Sequence, residues 1–430
     1  MSLITVRSTG SLCGSIRVPG DKSISHRTLL LACLAEGDSE IRGFLPSADC
    51  LATLRCIRAL GIAVDMHDRT TLIVHGRGLH GLRRPDGPLN CARSGTTMRL
   101  LTGILAGQPF AAVLTGDPQL LRRPMERIAL PLRQMGADIA TTDGHAPLTI
   151  RGSRLRGREH ILPVASAQVK SAILLAGLYA DGQTVVHQPG PARDHTELML
   201  VAMGANVEVS HLTVTLIPGP SALSPLDLTV PGDISSACFP LVAALLLPDS
   251  ELTVAGVGLN PTRTGLLDVL GEMGARIEVN SRRQQGGEPV ADVTARASDL
   301  HGVQVSGDTV VRMIDEFPLL AVAATQAQGA TVVRDAAELR VKETDRIAAI
   351  ASELRKMGAD IEPRPDGFVV RPTPLQGAVV DSQGDHRIAM ALAVAGLVAD
   401  GKTTVKNAGC IDDSFPGFVE TMQRLGAPIT

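Results

Sequence analysis

Tryptophan is absent from these 430 residues, tyrosine occurs once, and aromatics reach only 2% of the chain. Few platforms therefore exist for stacking nucleobases. Lys and Arg total 41 against 44 Asp and Glu, a net charge of -3, so there is no basic excess to hold a phosphodiester backbone. Cysteine is sparse and odd in number, seven residues without a Cys-x-x-Cys pair. That pattern argues against a disulfide framework or a structural zinc and predicts reduced thiols in a cytoplasm. The longest apolar runs, such as Leu241–Leu247, fall far short of the ~20 residues that span a bilayer, and the opening MSLITVRSTGSLCGS lacks the apolar stretch of a secretory signal. Neither His-Glu-x-x-His nor Gly-x-Ser-x-Gly occurs, which removes two common hydrolase arrangements. What the chain does have is 44% hydrophobic and 20% charged residues, enough for large cores in two or three domains.

Repetition organises those residues. Leu-Gly or Met-Gly closes an amphipathic run at Gly61, Gly136, Gly204, Gly274, Gly358 and Gly426, and a short alternating segment follows each. A glycine there reads as a helix C-cap and the β-branched alternation as a strand. Interleaved with this signature is a second: an Ala/Leu-rich helix, a Gly or Asp stop, then a strand, as in ILLAGLYADGQTVV and ALAVAGLVADGKTTV. A third echo pairs VPGDKSIS at Val18 with VPGDISSA at Val230. Six units in two sets of three are expected. The chain then crosses near Pro19 and Pro231, giving a discontinuous domain of residues 1–19 plus 232–430 and an inserted domain of residues 20–231.

Two motif matches fail on context. Gly76-Arg-Gly78-Leu-His-Gly81 fits the dinucleotide fingerprint, but LRRPDGPLN follows, a loop where a helix must begin. Gly396 to Thr403 fits the P-loop expression, yet a helix precedes and a strand follows, the reverse of what phosphate binding at a helix N-terminus requires.

The chemistry lies in polar segments at the unit junctions, dense in Lys, Arg, Asp and His. They are Gly20-Asp-Lys-Ser-Ile-Ser-His-Arg27, Arg93-Ser-Gly-Thr-Thr-Met-Arg99, Arg122-Arg-Pro124, Ser166-Ala-Gln-Val-Lys170, Arg193-Asp-His-Thr-Glu197, Asn260-Pro-Thr-Arg263, Met313-Ile-Asp-Glu316, Arg340-Val-Lys-Glu-Thr-Asp-Arg346 and Asp385-His-Arg387. Several carry an N-cap residue before an apolar run. Helix N-termini attract anions and a nearby guanidinium strengthens the attraction, so a small ligand with several negative groups is expected.

Taken together and in order, GDKSISHR, RSGTTMRLL, RRPM, SAQVK, RDHTE, MIDEFP, RVKETDR and GDHRIAM resemble the 5-enolpyruvylshikimate-3-phosphate (EPSP) synthase family, from Val18 to about Pro416. SAQVK, RDHTE, GDKS and NPTRT are similar to its second class, whose members often tolerate glyphosate. The resemblance implies an α/β (α+β) fold, an inverse α/β prism of two similar domains with three βαβαββ units each. It implies that the 5-hydroxyl of shikimate-3-phosphate adds to C2 of phosphoenolpyruvate, with phosphate then lost. No metal or organic cofactor is implied, glyphosate is a possible inhibitor, and a cytoplasmic monomer without nucleic-acid or membrane partners is expected.

By the same resemblance, Lys22, Gly95, Arg123, Gln168, Arg346 and Arg387 hold phosphoenolpyruvate. Lys22, Ser23, Arg27, Ser166, Gln168, Arg193, Asp315 and Lys342 hold shikimate-3-phosphate. Asp315 is expected to orient and deprotonate the 5-hydroxyl, Glu343 to protonate C3, and Lys22 to stabilise charge on the bridging oxygen; two carboxylates in different environments can divide such work. Arg346 and Glu343 also sit at i,i+3, where an ordinary helix-surface pair would stand. Two departures from the family pattern are visible: Arg93 stands where many members have Asn, and Asp413 precedes Ser414-Phe415-Pro416 where first-class members place Lys. The sister enzyme that acts on UDP-N-acetylglucosamine uses a loop cysteine, and Gln108 to Arg122 contains none.

Overall fold

Six of the Ala/Leu-rich stretches form helices that are buried over almost their whole length: Lys22–Ala32, Gly95–Ala106, Ala167–Gly177, Ile234–Leu246, Phe317–Thr325 and His386–Val398. They alternate along the chain with six helices that keep an exposed face: Ala48–Ala59, Glu126–Gln134, His195–Ala202, Gly265–Glu272, Arg346–Lys356 and Phe418–Arg424. Each helix of the second set runs into one of the six signature glycines, and all six have φ from +86° to +102°. That left-handed turn ends a helix at little cost only in glycine. This computed structural model describes residues 2–219 and 222–430.

The strands follow from the same grammar. After a buried helix comes a strand such as Glu36–Arg42, Ala111–Thr115 or Thr184–His187; after the glycine comes a hairpin such as Ala63–Met66 with Leu72–Arg77. Glu36–Arg42 pairs antiparallel with Leu72–Arg77 and parallel with Asp227–Thr229. Among the described residues there are five four-stranded sheets, one three-stranded sheet and one two-stranded sheet. Gly426 departs from the expectation of a strand: beyond it only Ile429 bridges to Val6. Both rejected motifs are placed as their context required. Strand Leu72–Arg77 leads into a loop rather than a helix, and Gly396 lies inside helix His386–Val398, ahead of strand Lys402–Lys406.

The chain divides into two compact units. One comprises Met1–Pro19, Pro231–Gln284 and Pro289–Thr430; the other comprises Gly20–Val230 with Gln285–Glu288. Grouping of the hairpin tip Gln285–Glu288 with Gly20–Val230 was not foreseen from sequence. Each unit has its own apolar core, built mainly from its three buried helices and the inner faces of its strands. In the Gly20–Val230 unit, helices Gly95–Ala106 and Ala167–Gly177 cross so closely at Gly103 that a Cβ there would lie 2.2 Å from the Ala172 carbonyl oxygen. Among the described residues no helix is long and apolar enough to cross a membrane.

Candidate active site

The polar segments singled out in the sequence open helices, which gives their side chains fixed starting points. Asp21, Ser94, Ser166, Asp345 and Asp385 each accept a backbone N–H of the helix that follows. Each unit carries a cluster of these segments.

In the Gly20–Val230 unit, Lys22 stands at the start of its helix with Nζ 2.6 Å from Asp49 Oδ2. One turn on, buried Arg27 spends its donors on Thr196 Oγ1 (2.7 Å), Ser171 Oγ (2.9 Å) and the Ser23 carbonyl (3.0 Å). Arg193 Nη1 donates to Ser23 Oγ at 3.2 Å. Lys22, Ser23, Arg27 and Arg193 are thereby brought to one helix start. Behind Arg193, Lys170 and Glu197 form a buried ion pair at 2.6 Å, and Lys170 also donates to the Ala192 carbonyl.

A second group in this unit surrounds Gly95, the first residue of its helix. A Cβ on Gly95 would meet Arg123 Nη1 at 2.9 Å and Arg99 Nη1 at 3.2 Å, so two guanidinium groups converge on that N-terminus. Arg99 donates to Gln168 Oε1 at 2.6 Å, and Gln168 Nε2 donates to Thr96 Oγ1 at 2.8 Å. Ser166 caps the helix that carries Gln168, and Arg93 turns to Gln119 Oε1 at 2.9 Å.

A hydroxyl chain ties the two groups together: His26 Nδ1 to Thr53 Oγ1 (2.7 Å), Thr53 to Thr97 Oγ1 (2.6 Å), and Thr97 Oγ1 donating to Ser94 Oγ (2.7 Å). Complete burial, with Lys22 and Arg27 acting in the same direction against Asp49 and Asp21, pushes the His26 pKa down to about 3. The imidazole is therefore neutral at ordinary pH. Because Thr97 donates to Ser94, it accepts from Thr53, and Thr53 accepts from an Nδ1–H. The chain thus selects the Nδ1-protonated tautomer.

The cluster in the other unit is built on Arg346, which is 2% exposed. Its Nε donates to Asp385 Oδ2 at 2.8 Å, Nη1 to Asp315 Oδ1 at 3.0 Å and Nη2 to Glu343 Oε2 at 2.7 Å. Burial opposes the charged guanidinium, but Asp385, Glu343 and Asp315 more than offset it and hold its pKa above the usual arginine range. The i,i+3 pair with Glu343 is thus one arm of a three-carboxylate assembly rather than an isolated surface contact.

Arg387 is also buried. Its backbone N–H is taken by Asp385 Oδ1, while Nε and Nη1 meet no hydrogen-bond partner among the described residues. Lys342 lies half-buried beside Glu343 in the chain. Glu316, next to Asp315, is bonded to the Ser235 hydroxyl, and Ser235 in turn accepts from Arg263 Nη2 at 2.9 Å. Burial and then the Asp315 charge push the Glu316 carboxyl up, against Arg387 and Arg263.

Sequence reasoning missed Asp49; Arg99, Arg263 and Glu316 lie in the polar segments it singled out, and Asp233 and Ser235 in VPGDISSA, but it gave none of them a role. Arg99 had a visible signal: it lies four residues after Gly95 on the same helix. Asp49 offered only an acidic residue in a helix's first turn.

The chain was compared with known proteins. The family model described as EPSP synthase (3-phosphoshikimate 1-carboxyvinyltransferase) matches residues 6–422. A 3-phosphoshikimate 1-carboxyvinyltransferase of Citrifermentans bemidjiense is 54% identical over 428 residues, 99% of each chain. One of Desulforamulus reducens is 49% identical over 425 residues, covering 98% of this chain and 99% of the relative. A solved structure of EPSP synthase from Acinetobacter baumannii superposes with a TM-score of 0.89 at 43% identity, covering 100% of this chain and 99% of that one.

Proposed function

This chain belongs to the EPSP synthase family, and from that premise we propose which of its residues carry the reaction. It is a 3-phosphoshikimate 1-carboxyvinyltransferase of the shikimate pathway, moving the enolpyruvyl group of phosphoenolpyruvate to shikimate-3-phosphate with release of phosphate.

The observation that carries the assignment is the Arg346–Arg387 pair of guanidinium groups. Arg346 commits four N–H contacts to carboxylates and keeps an Nη1–H in hand; Arg387 keeps its Nε and Nη1 donors unused while buried. Buried guanidinium donors call for an anion, and a phosphate or carboxylate matches their fork. In our reading both bind phosphoenolpyruvate, as do Lys22, Gly95, Arg123 and Gln168. Ser23, Arg27, Ser166, Gln168, Arg193 and Lys342, with Lys22 and Asp315, take shikimate-3-phosphate. Arg27 is held by three acceptors, so its charge is placed before any ligand arrives.

Asp315 takes the proton of the 5-hydroxyl as that oxygen attacks C2, and protonated Glu343 delivers its proton to C3; phosphate then leaves C2 as a C3 proton returns to Glu343, restoring the double bond. Lys22 stabilises the charge on the bridging oxygen. Arg346 donates to one oxygen of each carboxylate, which orients both and leaves the other oxygen of Glu343 to carry the proton it delivers.

The finer fold reading is that the two units are domains of three βαβαββ repeats in an inverse prism. The strand order common to the four-stranded sheets and the six left-handed glycines support it. The second-class reading rests on SAQVK, RDHTE and Asp413, and a cytoplasmic location on seven free cysteines, six of them buried. The direct test is phosphate release from phosphoenolpyruvate. It should require shikimate-3-phosphate and fall roughly a hundredfold to ten-thousandfold in Asp315→Ala with circular dichroism unchanged. Activity within a few fold of wild type would remove Asp315 from the mechanism.

A further inference from the structure

Arg99 belongs to none of the substrate-binding sets above, yet it decides what Gln168 can do. A glutamine amide presents an acceptor on one side and donors on the other, and the two ends have nearly the same shape. Which end faces a ligand depends on the neighbours. Thr96 cannot choose, because a hydroxyl both donates and accepts. Arg99 can, because a guanidinium only donates: the Gln168 atom 2.6 Å from Arg99 Nη1 must be the carbonyl oxygen. The amide nitrogen is then fixed on the opposite side. One of its hydrogens goes to Thr96 Oγ1 at 2.8 Å, and the other meets no acceptor among the described residues.

The support behind this contact is rigid. Arg99 Nη2 is anchored on the Pro124 carbonyl at 3.2 Å, which resists a swing of the fork. The helices carrying Arg99 and Gln168 cross in near backbone contact at Gly103 and Ala172, which fixes the distance the fork must span. Arg99 itself is buried, and its Nη1 lies close to Gly95 on the side where Arg123 Nη1 also lies.

We propose that Arg99 is a positioning residue that locks the Gln168 amide with its oxygen turned away, so that Gln168 offers an anionic substrate a donor and never an acceptor. The inference rests on the reading that Gln168 contacts substrate. Without Arg99 the amide samples both orientations. In one of them a carbonyl oxygen faces the phosphate or carboxylate and repels it.

The experiment measures kcat and KM for both substrates in Arg99→Met and Arg99→Lys, each in the native and the Gln168→Ala background. Gln168→Ala alone tests the underlying reading: unchanged KM for both substrates sinks that reading, and this inference with it. If KM rises, Arg99→Met in the native background should raise KM for the same substrate about tenfold with a smaller change in kcat, and Arg99→Lys should recover much of the loss. In the Gln168→Ala background, Arg99→Met should add less than twofold, since groups acting through one contact are non-additive. An undiminished effect there overturns the proposal, because Arg99 would then act without Gln168. Gln168→Glu provides the check should Arg99→Met not fold. It keeps the bond to Arg99 but replaces the donor by an acceptor, so KM must rise at least as far as in Gln168→Ala; a KM equal to wild type overturns the proposal.

Discussion

Asp385 Oδ2 accepts from Arg346 Nε at 2.8 Å with both side chains almost entirely buried. Asp385 also caps helix His386–Val398 through the Arg387 N–H, so one carboxylate holds the Arg346 guanidinium and the Arg387 backbone. Removing its charge should cost both stability and turnover. Asp385→Asn keeps the cap but strands part of the Arg346 charge, and breaking a buried pair costs about 3–5 kcal/mol. With Glu343 and Asp315 still bound to Arg346, the low end is expected. Urea unfolding followed by circular dichroism reads it, and an unchanged midpoint would show that Asp385 is not the principal partner.

Arg123→Ala should weaken phosphoenolpyruvate far more than shikimate-3-phosphate. Truncating one member of a desolvated charge pair costs about 2–5 kcal/mol, so KM for phosphoenolpyruvate should rise by more than an order of magnitude. Equal losses for both substrates would mean that Arg123 serves a different ligand.

Gly95→Ala should alter the same binding step by another route. The new Cβ would lie 2.9 Å from Arg123 Nη1 and 3.2 Å from Arg99 Nη1. Arg123 Nη1 is the end of a flexible side chain and gives way, the anchored Arg99 fork need yield only a few tenths of an ångström, and the backbone stays. Thermal stability should hold or rise slightly, because alanine replaces glycine inside a helix, while KM for phosphoenolpyruvate rises. A lower melting temperature with unchanged KM would place the strain in the backbone instead.

His26 should make the protein acid-sensitive. Its pKa falls from 6.5 to about 3 on folding, chiefly through burial. The unfolded chain therefore binds the extra proton first as pH drops. The contribution is full above pH 6.5, declines below it and is exhausted near pH 3. At pH 4.5 the loss approaches about 2.7 kcal/mol at 1.36 kcal/mol per unit. His26→Gln should lose less stability than wild type when urea melts at pH 7 and pH 4.5 are compared; parallel losses would assign the acid sensitivity to other groups.

Local features of fold and site were legible before any coordinates, because their causes are local. Ser94 reaches Thr97, Asp345 reaches Ala348, and Gly358 closes the helix that Asp345 opens; each relation spans a few residues and leaves a written pattern. The same holds for the segments that begin helices with Lys22, Gly95, Ala167 and His386. Asp49, by contrast, carries no mark that ties it to Lys22, 27 residues away.

By itself, then, the sequence determined where helices start and stop, which segments concentrate cations at their N-termini, and to which family the chain belongs. The tertiary structure alone decided the partners. Asp315, Glu343 and Asp385 share one guanidinium because separate helix starts within one unit converge on Arg346. Gln168 turns its oxygen to Arg99 because Gly103 lets two helices approach to backbone contact. A capping bond depends on a few neighbouring dihedral angles and is written locally, whereas a buried polar partner depends on how whole helices pack. Once water is excluded, each buried donor or acceptor needs such a partner.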